Sequence, residues 1–468
     1  MTTTASAMPS DSTTPREPIT IALLGSGVVG TSVARELTQN AADFEARIGA
    51  PLQIVGVAVR NTRKDRSETG LPADAFTTDA QALVDGADIV VELMGGDEPA
   101  KSLITRALSN GSSVVTANKA LLGSDGPELY QLAMDHGVDL SYEAAVAGAI
   151  PLIRPLRESL AGDGVTKVLG IVNGTTNFIL DRMHTLGESP EEALRIATEL
   201  GYAEADPTAD VEGFDAQQKA AILASIAFHT TVSVDEVQRE GITGITSQHI
   251  RDAARSGYTI KLLSVCERAV TESGEAAISA RVHPTLVPND HPLAAVHGGN
   301  NAVFIEADAA GDLMFYGAGA GGVETASAVL GDLVTAVRRH VLGGRGLSAS
   351  MHLQLPMLDS DRVLTRYLIS VEVNDQSGVL AELAGIFSAR GVSLATLEQS
   401  IPVQTALDAP AADAAEQPDA EGSVAPRATL IIGTHLATEG ALKAVVEDLR
   451  QSAAVRAVTG VLRIERGA

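Results

Sequence analysis

Five carboxylates and a lysine crowd into the stretch from Ala203 to Lys219: Glu204, Asp206, Asp210, Glu212, Asp215 and Lys219. Pro207 and Gly213 break it, which predicts a loop. The run that follows, residues 220 to 228, is almost wholly apolar. A helix beginning near Phe214 or Asp215 would bury that run and set Asp215 and Lys219, at i and i+4, on one face. Two chemistries fit this spacing. One is a solvated acidic loop closed by a surface ion pair; the other is a polar catalytic pocket whose floor is the apolar helix.

The elements that must position this stretch begin upstream. Ile19–Leu24 is a short, nearly continuous apolar run, the pattern of a strand buried on both faces. Gly25, Ser26, Gly27, Val28, Val29 and Gly30 follow at once, then a helical segment over residues 31 to 37. Glycines there let the chain turn tightly against a pyrophosphate, and helix N-terminal amides face its charge. Strand before and helix after supply the context that a lone glycine fingerprint needs. The next strand, residues 52 to 59, ends at Arg60, with Arg63 and Lys64 close behind. An NAD enzyme usually offers a carboxylate here for the ribose hydroxyls, whereas basic groups suit a 2′-phosphate, so NADPH/NADP is favoured over NAD.

Residues 88 to 96 form a strand running into a glycine turn that holds Gly95. A helix over 100 to 110 and the strand Ser113–Thr116 come next. Lys119 lies in the loop past that strand's carboxyl end, where open parallel sheets bind their ligands. Position alone leaves it equally an ordinary solvated lysine. Residues 138 to 143 read as the last strand of this domain, and 144 to 151 as the turn leading out.

Further on, residues 165 to 172 read as a strand, 173 to 178 as a polar loop opening a helix, and 190 to 197 as a helix with proline and acids in its first turn. Strands are expected at 276 to 284, 302 to 306 and 312 to 316. The glycine run 317 to 322, which includes Gly321, precedes a helix over 324 to 342. From residue 367 the order reads βαββαβ, a ferredoxin-like arrangement. Its insertion at 404–422 is rich in Ala, Asp, Glu and Pro, has no Lys or Arg, and should be disordered. The expected plan is a tail at 1–17, a Rossmann-type dinucleotide-binding domain at 18–151 completed by the 317–342 helix, an α+β substrate and dimerisation domain at 152–342, a linker at 343–361, and the ferredoxin-like domain at 362–468.

Bulk properties narrow the partners. The 468 residues carry a formal net charge of −25, which argues against nucleic acid or an anionic membrane. No apolar stretch is long enough to span a bilayer. Residues 1–17 lack the apolar core of a secretory signal, so the cytoplasm is the expected compartment. The single cysteine, Cys266, permits no intrachain disulfide and sits in an apolar run.

With these pieces placed, residues 18 to 342 resemble the homoserine dehydrogenases. The most specific element is the stretch 197 to 207, followed by Asp210, Val211, Glu212, Gly213, Phe214, Asp215 and Lys219. Residues 116 to 119, 174 to 177 and 317 to 321 match in order. The resemblance implies reversible hydride transfer between NADPH and L-aspartate 4-semialdehyde, giving L-homoserine. It makes Lys219 the acid/base, with Lys119 contacting cofactor and substrate. Glu204 would bind the substrate ammonium, Asp210 and Asp215 would orient substrate and lysines, and Thr176 would touch the substrate. A lysine suits proton transfer if its pKa falls from about 10.4 towards neutrality, which a second cation nearby would favour. Glu143 with the carbonyls of Val146, Gly148 and Ile150 matches the family's sodium (Na+) site, where oxygen ligands suit a hard cation.

The segment 371 to 380 is similar to ACT domains, which implies an amino-acid effector, threonine in this family, and a homo-oligomer, dimer or tetramer. On this reading, removing 362–468 should leave activity and abolish any threonine inhibition. Two alternatives stand beside it. An aspartate-semialdehyde dehydrogenase would need a cysteine nucleophile, for which Cys266 has no matching motif. A catalytically inactive amino-acid sensor would have no need of Glu204, Asp215 and Lys219.

Overall fold

The computed structural model describes residues 17–343, 351–400 and 427–465. The tail expected at 1–17, apart from its last residue, and the acidic insertion at 404–422 lie outside them. The described chain divides into two compact units, one of residues 1–154 with 320–349 and one of 155–319 with 350–468.

In the first unit, β1 (Ile19–Leu24), α1 (Val28–Gln39), α2 (Ala41–Ile48), β2 (Leu52–Ala58), β3 (Phe76–Thr77), α3 (Ala80–Asp85), β4 (Ile89–Glu92), α4 (Ala100–Ser109), β5 (Ser113–Thr116), α5 (Lys119–His136) and β6 (Leu140–Ser141) alternate. The strands form one parallel sheet in the order β3-β2-β1-β4-β5-β6. This is the doubly wound Rossmann arrangement, and its order reverses between β1 and β4, where such sheets bind dinucleotides. Ile21, Leu23, Ile89 and Val91 are wholly buried, as a strand covered on both faces requires. The chain returns to this unit at Gly322–Leu342 (α11), whose Val329, Leu333 and Val337 pack with Val33 and Leu37 of α1.

Three local expectations are corrected. Residues 138 to 143 give only a two-residue strand before a 3-10 turn at Glu143–Ala145. Lys119 lies not in a loop but at the first position of the 18-residue α5, which Asn118 caps. The helix after the glycine fingerprint begins at Val28, three residues earlier than expected.

The second unit contains β7 (Val165–Ile171), α6 (Gly174–Leu186), α7 (Pro190–Glu199), α8 (Thr208–Val211), α9 (Phe214–Ala227), β8 (Gln238–Arg239), α10 (Ser247–Arg255), β9 (Tyr258–Val270), β10 (Ala276–Pro288), β11 (Asn300–Ala307) and β12 (Gly311–Ala318). After them come β13 (Leu364–Thr365), β14 (Tyr367–Asn374), α12 (Val379–Ala389), β15 (Leu394–Ser400), β16 (Arg427–Thr434), β17 (Ala437–Thr438), α13 (Glu439–Gln451) and β18 (Val455–Ile464). α9 is apolar nearly all round from Ala220, so it can only be a buried helix. It lies on β9: Ser264 and Cys266 reach the carbonyls of Ala216 and Ala220.

The C-terminal part has the βαββαβ order and the ferredoxin-like strand sequence β18-β14-β16-β15. It is not a separate sheet. β18 runs parallel to β10, with Thr285 opposite Arg463 and Leu286 opposite Ile464, so one ten-stranded sheet spans both parts. The connector joins the same strand, since Ile278 accepts from Leu358 N and donates to Pro356 O. Removing 362–468 would therefore uncover an edge of β10, and a truncated chain loses stability along with any regulation.

Lys261 fastens α6 to this framework. The side chain is 1% exposed and donates to Asn177 Oδ1 at 3.0 Å and to the Val296 carbonyl, while Asn177 donates to the carbonyls of Val296, Gly298 and Asn300. Burial lowers the Lys261 pKa to about 8. Between that value and the ordinary 10.5, the unfolded chain binds the proton that the folded chain releases, so this group makes stability rise with pH across the window. Denaturant midpoints measured from pH 8 to 10.5 should rise less in Lys261→Met than in the native protein.

Candidate functional site

In the first unit, the glycine turn has the geometry a pyrophosphate needs. Gly25, at φ +108, turns the chain out of β1, and its amide donates to Ala58 O at 2.9 Å, bringing the end of β2 alongside. A Cβ on Gly25 would lie 2.9 Å from the Leu93 carbonyl oxygen, and one on Gly30 2.4 Å from that of Gly25. No side chain fits at either position. At Gly27 a Cβ would meet nothing, so the space there is open. α1 starts with no side-chain cap, and its first amides, around Val28, Val29 and Gly30, are left for an anion. Ser26 Oγ lies 3.3 Å from Thr31 Oγ1 at the same turn. Gly321 caps α11 beside it, and a Cβ on Gly322 would lie 2.5 Å from Val28 Cγ1.

Arg60 follows β2. The loop after it is held from within: Asn61 accepts from the Arg63 amide, while Arg66 donates to the carbonyls of Asn61 and Lys64 and lies over Phe76. That arrangement leaves Arg60, Arg63 and Lys64 exposed.

Across the switch point, a network that sequence reasoning missed shapes the second rim. Glu92 is fully buried; one oxygen accepts from the amides of Met94 and Gly95 at 2.7 and 2.9 Å, and the other from Thr116 Oγ1 at 2.6 Å. Thr116 Oγ1 accepts from the Asn118 amide; Asn118 caps α5 through Leu121 N and donates to Gly96 O at 2.7 Å. Gly95 and Gly96, both at positive φ, form the turn this network holds, and Lys119 stands at the start of the helix it caps. Asn118, just before an apolar helical run, was the signal available in sequence.

Glu143 is 1% exposed, and its carboxylate is already engaged. It accepts from the amides of Leu152, Ile153 and Arg154 and from Arg154 Nε at 3.1 Å. Four donors on two oxygens leave the side chain poorly suited to a cation. A sodium ion at this turn would be held by main-chain carbonyls, those of Val146, Gly148 and Ile150 included. Gly148, at φ +57, turns the chain there. Among the described residues, no cluster of three or more His, Cys, Asp or Glu could hold a metal.

In the second unit the acidic stretch is folded around Asn173. This residue caps α6, its Oδ1 accepting from Thr176 N at 2.8 Å, while its Nδ2 donates to Asp210 Oδ1 at 2.7 Å and Asp215 Oδ2 at 3.0 Å. Lys219 Nζ donates to the same Asp215 oxygen and to the Val172 carbonyl, both at 2.7 Å. Asp215 and Lys219 are each 8% exposed, so the pair is not a surface ion pair. Gly213, at φ +81, makes the bend between α8 and α9. α8 replaces part of the loop expected between Pro207 and Gly213. Thr176, 1% exposed, turns its hydroxyl onto Asn173. Glu204 is exposed, and Asp206 caps the Thr208 amide instead of joining the cluster. Asn301 is 1% exposed, with both amide atoms lacking a partner among the described residues, beside Gly174 and Gly319.

The arrangement places a buried amine and two carboxylates around one amide, with an apolar helix beneath. Such a group can pass a proton at a fixed place. Burial pushes the Cys266 thiol up to about 12, which removes it as a nucleophile. Replacing Asn173 with alanine leaves Asp210 and Asp215 without their shared donor. The expected result is a fall in kcat of about tenfold to a hundredfold, the loss of charge-assisted bonds, with cofactor affinity unchanged. Steady-state kinetics with a separate cofactor titration would check this, and Asn173→Asp should fare no better.

Comparison with known proteins matches both halves of this description. A family model described as "Homoserine dehydrogenase, NAD binding domain" matches residues 25–143, and one described as "Homoserine dehydrogenase" matches 151–334. The chain is 50% identical to the homoserine dehydrogenase of Mycobacterium tuberculosis strain H37Rv over 98% of its own length and 99% of the relative's. A crystal structure of a homoserine dehydrogenase from Thiobacillus denitrificans superposes with a TM-score of 0.85 at 37% identity, covering 96% of this chain and 98% of that one. A hyperthermophilic archaeal homoserine dehydrogenase in complex with NADPH gives a TM-score of 0.58 at 28% identity, covering 71% of this chain and all of that one.

Proposed function

The chain belongs to the homoserine dehydrogenase family, an oxidoreductase family, and we propose how its residues divide the reversible NAD(P)H-dependent reduction of L-aspartate 4-semialdehyde to L-homoserine. The observation that carries this reading is the cluster of Asn173, Asp215 and Lys219, all buried, with the half-buried Asp210, in a chain 50% identical to a homoserine dehydrogenase over 98% of its length. The bound nicotinamide supplies the hydride. Everything else falls to the protein: holding the aldehyde and delivering a proton to the developing alkoxide.

Lys219 is the proton donor. Asp215 and the Val172 carbonyl fix its ammonium from two sides, so the proton leaves from a set position. Asp210 and Glu204 take the substrate's polar end, Glu204 through the ammonium, as an exposed carboxylate at the rim can. Thr176 acts by holding Asn173 in place. Lys119, at the start of α5, serves the reacting end of the cofactor. Gly25, Ser26, Gly27, Val28, Val29, Gly30, Gly95 and Gly321 line the cofactor's path.

The cofactor preference we propose is NADP. Its support is the exposed trio Arg60, Arg63 and Lys64 after β2, with Asp65 turned away onto the Ser67 amide. Sodium held by the carbonyls around Gly148, threonine as effector at the β14–α12 turn, and assembly into a homo-oligomer belong to the same proposal. Assembly has one structural support: β12 is an edge strand with Met314 and Tyr316 exposed.

Following NADPH oxidation with aspartate semialdehyde, with and without threonine, tests the whole reading. In that assay Lys219→Ala should lose turnover by orders of magnitude while binding NADPH normally; surviving turnover would remove Lys219 from its role. Arg60→Ala should raise KM for NADPH by about tenfold, the worth of one charge-assisted bond, and leave KM for NADH unchanged.

A further inference from the structure

The second unit contains a cavity of about 650 Å³ that none of the assignments above uses. Its floor is one face of the sheet, where β7, β9, β10 and β11 bring Lys167, Glu267, Arg281, His283 and Glu306 together. Its other wall comes from the C-terminal module and includes Arg366. We propose that this cavity binds a small oxyanion, a carboxylate or a phosphate, with Arg281 as its principal partner.

Buried donors on both walls are unanswered. Arg281 is 8% exposed; its Nη2 donates to Glu267 Oε1 at 2.5 Å, but Nε and Nη1 have no partner among the described residues. Buried guanidinium donors are costly to leave unmet, and native structures seldom do so. Arg366 carries an unpartnered Nε on the facing wall. Two neighbouring cations are answered within the fold. Lys167 is paired with Glu465, and Arg463 with Glu439. What remains unmet is an acceptor placed for Nε and Nη1 of Arg281.

A planar carboxylate or a phosphate presents two acceptor oxygens in the geometry that guanidinium donors match. Six lysine or arginine side chains and five carboxylates line the cavity, an excess of cation on a chain whose net charge is −25. The two walls belong to the catalytic sheet and to the C-terminal module, so a bound anion would join them. No residue of the β14–α12 turn lines this cavity, so the proposal is separate from any effector there.

The test uses the full-length protein saturated with NADP+, so that the dinucleotide site is already filled. Its thermal midpoint is followed against inorganic phosphate and, separately, acetate, at ionic strength held constant with chloride. A saturable rise with one of them is expected, and which one responds identifies the source of the oxyanion. In the double variant Glu267→Gln/Arg281→Gln, where an amide pair replaces the ion pair, apparent affinity should fall about tenfold. Arg366→Gln, on the opposite wall, should weaken binding several-fold and leaves the sheet face untouched. The proposal fails if neither anion gives a saturable rise. It also fails if the rise keeps its native midpoint concentration in a folded double variant or, should that variant not fold, in Arg366→Gln.

Discussion

Burying an ammonium beside a carboxylate costs more than it returns unless their remaining hydrogen-bonding capacity is met. The second unit is arranged around meeting it at Lys219. Val172, the residue after β7, offers its carbonyl; Asp215, in the first turn of α9, offers an oxygen; Asn173 donates to that same oxygen. Each partner comes from a different element, and each element is itself pinned. β7 lies inside the ten-stranded sheet, α9 is buried against β9, and α6 is tied by Asn177 and Lys261. Loss of any one anchor leaves the amine with a neighbour missing in a place water cannot easily reach.

The first unit solves a related problem with backbone instead of charge. A pyrophosphate must come close to the main chain, so side chains are excluded where the turn is tightest and helix amides are left uncapped where the anion would lie. Glu92 then holds the facing turn through two amides and a hydroxyl, in the way that Asn173 holds the acidic stretch of the other unit. In both places one buried polar side chain converts several flexible segments into a fixed rim.

What could be read from sequence follows the range of the interactions. The strand, glycine turn and helix at residues 19 to 37 are local, as is the spacing of Asp215 and Lys219, and both were legible. Asn173 was read only as part of a polar loop, because its partners lie 37 and 42 residues away. α5 has little sequence signature: it contains Gly123, Gly126 and Pro127, and the helix continues through them behind the Asn118 cap. The pairing of β18 with β10 left no local trace, since the strands are well over a hundred residues apart, and the C-terminal module was accordingly read as separable. Long charged residues such as Arg281, ordinary in sequence, acquire meaning only when the sheet buries them.

The parallel pairing of β10 with β18 also sets an order of events in time. Strand β18 is synthesised after every other strand of its sheet, while β9 and β10 can form their long hairpin much earlier. A nascent chain therefore leaves the edge of β10 at Thr285 and Leu286 open until the final strand arrives, and parallel pairs between distant segments close slowly. During that interval the exposed edge invites pairing with another chain. The yield of folded protein should then depend on how quickly translation completes, a property that belongs to the topology and not to any residue at the site.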